Sequence, residues 1–127
     1  MIVVDASVAV LGLLNDGAAR HTLATETVAV PHLADSEVAH ALRTQVLRGT
    51  AQESHALDAL RRWALLGIRR FAVTGLLGRI WELRGNLSAY DASYVALAEA
   101  MSCSLHTADA RLASAPGPSC TIVVVRR

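Results

Sequence analysis

No lysine occurs in this chain of 127 residues, so all twelve basic side chains are arginine. That excludes a lysine base, a lysine Schiff base and a lysine phosphate anchor. Cysteine is nearly absent as well. Cys103 and Cys120 are too few for a disulfide framework and fit no metal-binding spacing, so two reduced thiols are expected. Aromatic residues make up only 4%, which leaves few platforms for stacking bases. There is no excess of either charge: the net is +1, too small for a global field that would draw in nucleic acid. A membrane span needs roughly 20 predominantly apolar residues. The apolar stretch from Ile2 to Leu14 is interrupted by Asp5 and has no basic segment ahead of it, so neither a signal peptide nor a span is expected, and the protein should be cytoplasmic. No internal repeat or low-complexity tract is visible.

What remains is a hydrophobic share of 53% with 18% charged residues, the composition of a globular chain. Its length suits one domain over residues 1–127. Ile2–Val4 reads as a buried strand. Ser7 can cap a helix over Val8–Leu14 that Asn15-Asp16-Gly17 ends. A short helix over Ala18–Ala24 precedes a strand at Val28–Val30, which Pro31 stops. Leu33, Val38, Ala41, Leu42 and Val46 follow helical spacing, placing a long helix from Leu33 to Arg48 that ends at Gly49. Thr50-Ala51-Gln52-Glu53 has the capping-box pattern and predicts a helix reaching Leu66. Then follow a strand at Phe71–Val73, a helix over Leu76–Leu83, and a second capping box, Ser88-Ala89-Tyr90-Asp91, opening a helix through Met101. A strand at Ser104–Thr107, a short helix at Ala110–Ala115, a Pro116-Gly117-Pro118 loop and a strand at Ile122–Val125 complete the chain, with Arg126 and Arg127 as a basic tail. Alternating strands and helices predict an α/β fold with a mainly parallel central sheet covered on both faces.

Asp5 and Asp109 each follow an apolar strand, so in a parallel sheet both stand at its carboxyl edge, where open α/β sheets bind ligands. Asp91 sits in the first turn of one helix and Glu37 in the first half of another. Taken singly, Asp91 and Asp109 read as helix caps and Glu37 as a solvated side chain, but capping does not account for Glu37. If the four converge, their mutual repulsion calls for a counter-ion. Oxygen ligands without His or Cys select a hard cation, Mg²⁺ or Mn²⁺, and that points to metal-dependent hydrolysis of phosphodiesters. Ser7 and Thr107 would hold carboxylates or waters beside them.

The segments Val3-Val4-Asp5-Ala6-Ser7, Ser36-Glu37-Val38-Ala39-His40-Ala41-Leu42, Leu87 to Ala98 around Tyr90-Asp91-Ala92, and Leu105-His106-Thr107-Ala108-Asp109-Ala110-Arg111-Leu112 together resemble the PIN-domain nucleases, specifically the VapC-type toxins of bacterial toxin–antitoxin pairs. That resemblance implies a three-layer α/β/α sandwich with four to five strands and an endoribonuclease whose acidic quartet is Asp5, Glu37, Asp91 and Asp109. It also implies Mg²⁺ or Mn²⁺ as cofactor, a homodimer, and a cognate VapB-type antitoxin whose tail blocks the cleft. His40 and His106 depart from the residues usual there, and His106 is expected to be a satisfied strand histidine. Arg43, Arg84 and Arg111 lead the RNA-contact candidates, which also include Arg48, Arg61, Arg62, Arg69 and Arg70. Trp63, Trp81 and Leu65-Leu66 are assigned to the core or to a dimer interface. Two other classes compete. A phospho-receiver domain needs the lysine this chain lacks; a non-catalytic PIN-like interaction module would keep the fold with vestigial acids.

Overall fold

The computed structural model describes residues 1–126. Five parallel strands form one sheet in the order β3-β2-β1-β4-β5. β1 (Ile2–Val4) is central and pairs with β2 (Val28–Pro31) on one side and β4 (Leu105–Thr107) on the other. All of Ile2, Val3 and Val4 are buried, as a strand covered on both faces requires. β3 (Arg69–Phe71) and β5 (Ile122–Val124) are the edges.

On one side α1 (Ala6–Leu14) packs with α2 (Ala18–Thr25), α3 (Leu33–Leu47) and α4 (Glu53–Leu65). Gly12 permits the close approach of α1 and α2: a Cβ there would lie 2.7 Å from Leu23 Cδ1 and 3.0 Å from the Ala19 backbone. α6 (Ala89–Ala100) crosses β1, β2 and β4 and carries α5 (Leu77–Glu82), which short 3-10 turns flank. Its run Ala92–Ala98 is buried without interruption. α7 (Ala110–Ser114) follows β4. The result is the expected α/β/α sandwich.

Several local expectations are corrected. Asp5, not Ser7, caps α1: its side chain accepts from Val8 N. Pro31 is inside β2 rather than beyond it, opposite Phe71; its missing N–H costs little because His32 N resumes the ladder at Phe71 O, 3.1 Å away. The Thr50 capping box does not form. Thr50 Oγ1 turns back to Gln45, and Gln52 takes the cap position without a side-chain bond. β3 lies two residues earlier than expected because Arg70, opposite Val30, is held by Asp35 of α3 at 2.8 Å. Trp63 belongs to the core, whereas Leu65 and Trp81 are exposed. His106 is only half satisfied: Nε2 lies 3.1 Å from Ser104 Oγ, while Nδ1 is buried without a partner, and burial lowers its pKa.

Candidate active site

The strand order reverses between β1 and β4, and such switch points open a crevice at the carboxyl ends of parallel strands. Asp5 leaves β1 there and Asp109 leaves β4 there. Asp5 is only 7% exposed, so its charge needs donors. Its Oδ1 accepts from Ser7 Oγ at 2.5 Å and Val8 N at 3.2 Å; its Oδ2 accepts from Thr107 Oγ1 at 2.5 Å. Thr107, fully buried, also accepts from Asp109 N at 3.0 Å, and Ser7 Oγ accepts from Ala108 N at 2.9 Å. Two hydroxyls thereby tie the end of β4 to the end of β1 and fix the Asp5 carboxylate.

Asp91 lies in the first turn of α6, which Ser88 caps by accepting from Asp91 N at 3.1 Å. Glu37 projects from α3 and accepts at Oε1 from Tyr94 OH at 2.5 Å. Tyr94 was not singled out from sequence. The available signal was its place one turn beyond Asp91, on the buried face of α6. Burial and the bond to Glu37 push its phenol well above the usual range.

Glu37 and Asp91 feel the charges of neighbouring acids. Burial raises the Glu37 pKa first, and the charges of Asp91 and Asp5 raise it further. Burial also leads for Asp91, followed by Asp5 and Asp109. Asp109 moves the other way because Arg111 donates to it from both backbone and side chain, the guanidinium at 3.3 Å. Arg111 is the only guanidinium in an ion pair with any of the four among the described residues. Among those residues no three His, Cys, Asp or Glu side chains stand as a finished coordination shell. As placed, Asp5 is turned to its hydroxyls, Asp109 to Arg111 and Glu37 to Tyr94. The donor chemistry nevertheless fits a hard cation: all oxygen, under-neutralised and partly buried. Mg²⁺ keeps several waters and needs few direct carboxylates.

The other candidates lie further out. Arg84 Nη1 donates to Trp81 O at 2.9 Å, and its guanidinium lies 4.5 Å from the Trp81 ring centroid. Arg43 lines a groove toward α4 beside Leu42 and Leu57, on the side of α3 away from Glu37.

The raised values give a pH prediction. For Glu37 and Asp91 the folded-state pKa exceeds the unfolded one, so their ionised forms oppose folding at neutral pH. The penalty fades as pH falls through the folded values and vanishes near their ordinary values of about 4. Asp35, Glu99 and Asp109 have lowered values, and their contribution is lost only below about pH 4. From these acids alone, metal-free protein should gain stability as pH falls from 7 and lose it again below about 4, whereas His106, buried as the neutral ring, gives up stability as pH falls below its ordinary value of about 6.5. Against a Glu37→Gln, Asp91→Asn variant, which keeps His106, the parent's urea midpoint should rise as pH falls from 7 to 5, and parallel profiles would refute the raised carboxylates.

Comparison with known proteins agrees with this fold. The PIN domain family matches residues 2–118. Ribonuclease VapC9 of Mycobacterium tuberculosis is 54% identical over 127 residues, covering all of both chains. Ribonuclease VapC1 of the same organism is 43% identical, covering 98% of this chain and 97% of its own. A crystal structure of PAE2754 from Pyrobaculum aerophilum superposes with a TM-score of 0.71 at 26% identity, covering 97% of this chain and 83% of that one.

Proposed function

The chain belongs to the PIN domain family, among its VapC ribonucleases, the toxins of VapBC pairs, and from that premise we propose that its acidic cleft binds Mg²⁺ or Mn²⁺ and cuts RNA internally by hydrolysis. One observation supports the reading: Asp5 and Asp109 follow β1 and β4 at the switch point of the sheet, and the charges of Asp5, Asp91 and Asp109 help raise the pKa values of Glu37 and Asp91, with a single paired guanidinium on the four. Asp5 and Asp91 would hold the ion, with Glu37 and Asp109 completing the set directly or through water. When bound, such an ion supplies an attacking water that ionises near neutral pH and offsets charge building on the phosphoryl oxygens.

The chain's own residues do the rest. Ser7, Thr107 and Val8 N hold Asp5 in one orientation, so its carboxylate need not reorganise during reaction. Tyr94 occupies Oε1 of Glu37 and leaves Oε2 to take a proton from the attacking water. The raised pKa of Glu37 makes it a stronger proton acceptor than an ordinary carboxylate. Arg111 is exposed at the rim, where it can meet a phosphate as well as Asp109. A VapB-type antitoxin would silence the enzyme by laying its tail over the same acids. A homodimer would cover exposed Trp81 and Leu65, which are 67% and 86% exposed. No helix among the described residues is long and apolar enough to cross a membrane.

The test is to map cleavage ends on total cellular RNA. Discrete ends should appear with Mg²⁺ or Mn²⁺ and disappear in excess EDTA. Equal cleavage in EDTA would refute the metal, and absence of cleavage under every condition would favour the inert interaction module.

A further inference from the structure

We propose that the RNA strand reaches the acids along a trough between α1 and α3, with Arg126 and Arg48 as its phosphate anchors; this deepens the nuclease reading and rests on it. Two clefts, of about 560 and 490 Å³, share Leu14, Asn15 and Gln45 and so form one continuous trough. Its inner end is lined by Ser7 and Ala108, and the Ser7 hydroxyl is the one that holds Asp5. Along α3, Ala41 and Gln45 lie one and two turns beyond Glu37 on the same face, and Arg48 closes the run. From Glu37 to Arg48 is about 16 Å at 1.5 Å per residue. Opposite, Leu11, Leu14 and Asn15 continue the face of α1 that begins at Ser7. Val125 N donates to Thr107 O at 2.7 Å, pinning the C-terminal segment to β4 and setting Arg126 on the rim.

The charge pattern names the occupant. No Asp or Glu lines either cleft, although the chain has eleven acidic residues. Neither Arg48 nor Arg126 takes part in an ion pair among the described residues, so both guanidiniums are available. Asn15, Gln45 and Thr44 add neutral donors and acceptors, and Leu11 and Leu14 give an apolar floor for sugar or base faces. An acid-free, arginine-bearing trough whose inner end is the Ser7 hydroxyl that holds Asp5 draws a polyanion in and leads one phosphate toward that carboxylate, where a divalent cation would neutralise it. Because α1 and α3 wall it on both sides, it suits a single strand, whose backbone and bases are both within reach.

The test measures binding of a short fluorescein-labelled single-stranded RNA by anisotropy in the uncleaving Asp5→Asn background, across a range of NaCl. Arg48→Ala and Arg126→Ala should each weaken binding about 3–10-fold and lower the slope of log affinity against log salt by about 0.7. Arg48→Lys should recover most of the loss. Arg69→Ala, on β3 at the far edge of the sheet, should change nothing. In the active protein the two alanine variants should raise KM and leave kcat within about twofold. Unchanged affinity and slope in both variants would overturn the trough. So would a loss confined to binding of a synthetic antitoxin tail peptide, with RNA binding intact. If the unmutated protein cleaves and only the variants disappoint, the nuclease reading stands; if it never cleaves, that reading fails first.

Discussion

Asp5→Asn should abolish RNA cleavage, a loss of at least about 10³-fold, or roughly 4 kcal/mol of transition-state stabilisation, while the fold survives. The substitution removes one negative charge from the most buried of the four acids and changes almost nothing in shape. An Asn carbonyl oxygen can still accept from Val8 N and keep the α1 cap. The amide nitrogen then replaces Oδ2, which accepts from Thr107, so that hydroxyl must rotate or lose its acceptor. That costs about 1–3 kcal/mol. Relief of repulsion with Glu37 and Asp91 works in the opposite direction. The expected picture is a cooperative thermal transition close to that of the parent and no detectable cleavage. Full activity in the variant would remove Asp5 from the chemistry.

Trp63→Ala should destabilise the protein by about 3–5 kcal/mol, a large part of the 5–15 kcal/mol typical of a whole domain. Trp63 is 2% exposed and belongs to the buried face of α4. Its indole Nε1 donates to Asp35 Oδ1 at 2.7 Å, and Asp35 also accepts from Arg70 Nε at 2.8 Å. The Arg70 guanidinium in turn lies 5.8 Å from the indole centroid. One side chain therefore links α4, α3 and β3, and alanine leaves both a cavity and a poorer partner set for Asp35. Trp63→Phe keeps much of the ring volume and should lose only about 1–2 kcal/mol. Urea unfolding distinguishes the two. A Trp63→Ala loss below about 1 kcal/mol would mean that the site collapses around the smaller side chain.

The strands that build the site were legible because they are short, wholly buried apolar runs, and an acid directly after such a run has to stand at the sheet edge. That placed Asp5 and Asp109. Ser88 was legible because its cap forms within one turn. Thr50 failed for the opposite reason: a hydroxyl that can cap the helix ahead can also close the helix behind, and Gln45 captured it. The register of β3 was set by the distant Asp35–Arg70 pair, which no local pattern reveals. The partner of Tyr94 was not legible, since a phenol facing an acid on another helix is a tertiary fact. The trough was hidden similarly, because α1, α3 and the rim at Ala108 and Arg126 come from three separate parts of the chain. His106 was expected to be satisfied, yet one ring nitrogen is buried without a partner; the neighbours that desolvate it come from elsewhere in the fold.

The most direct measurement is thermal melting of the metal-free protein during a Mn²⁺ titration, run in parallel on Asp5→Asn and Asp91→Asn. A cation that binds only the folded cleft must raise the midpoint with concentration, by about 2.7 kcal/mol of added stability at a hundredfold excess over Kd. The expected result is a rising midpoint in the parent and a nearly flat one in both variants. A flat parent, or variants that rise with it, would contradict the claim that these carboxylates jointly hold a hard cation.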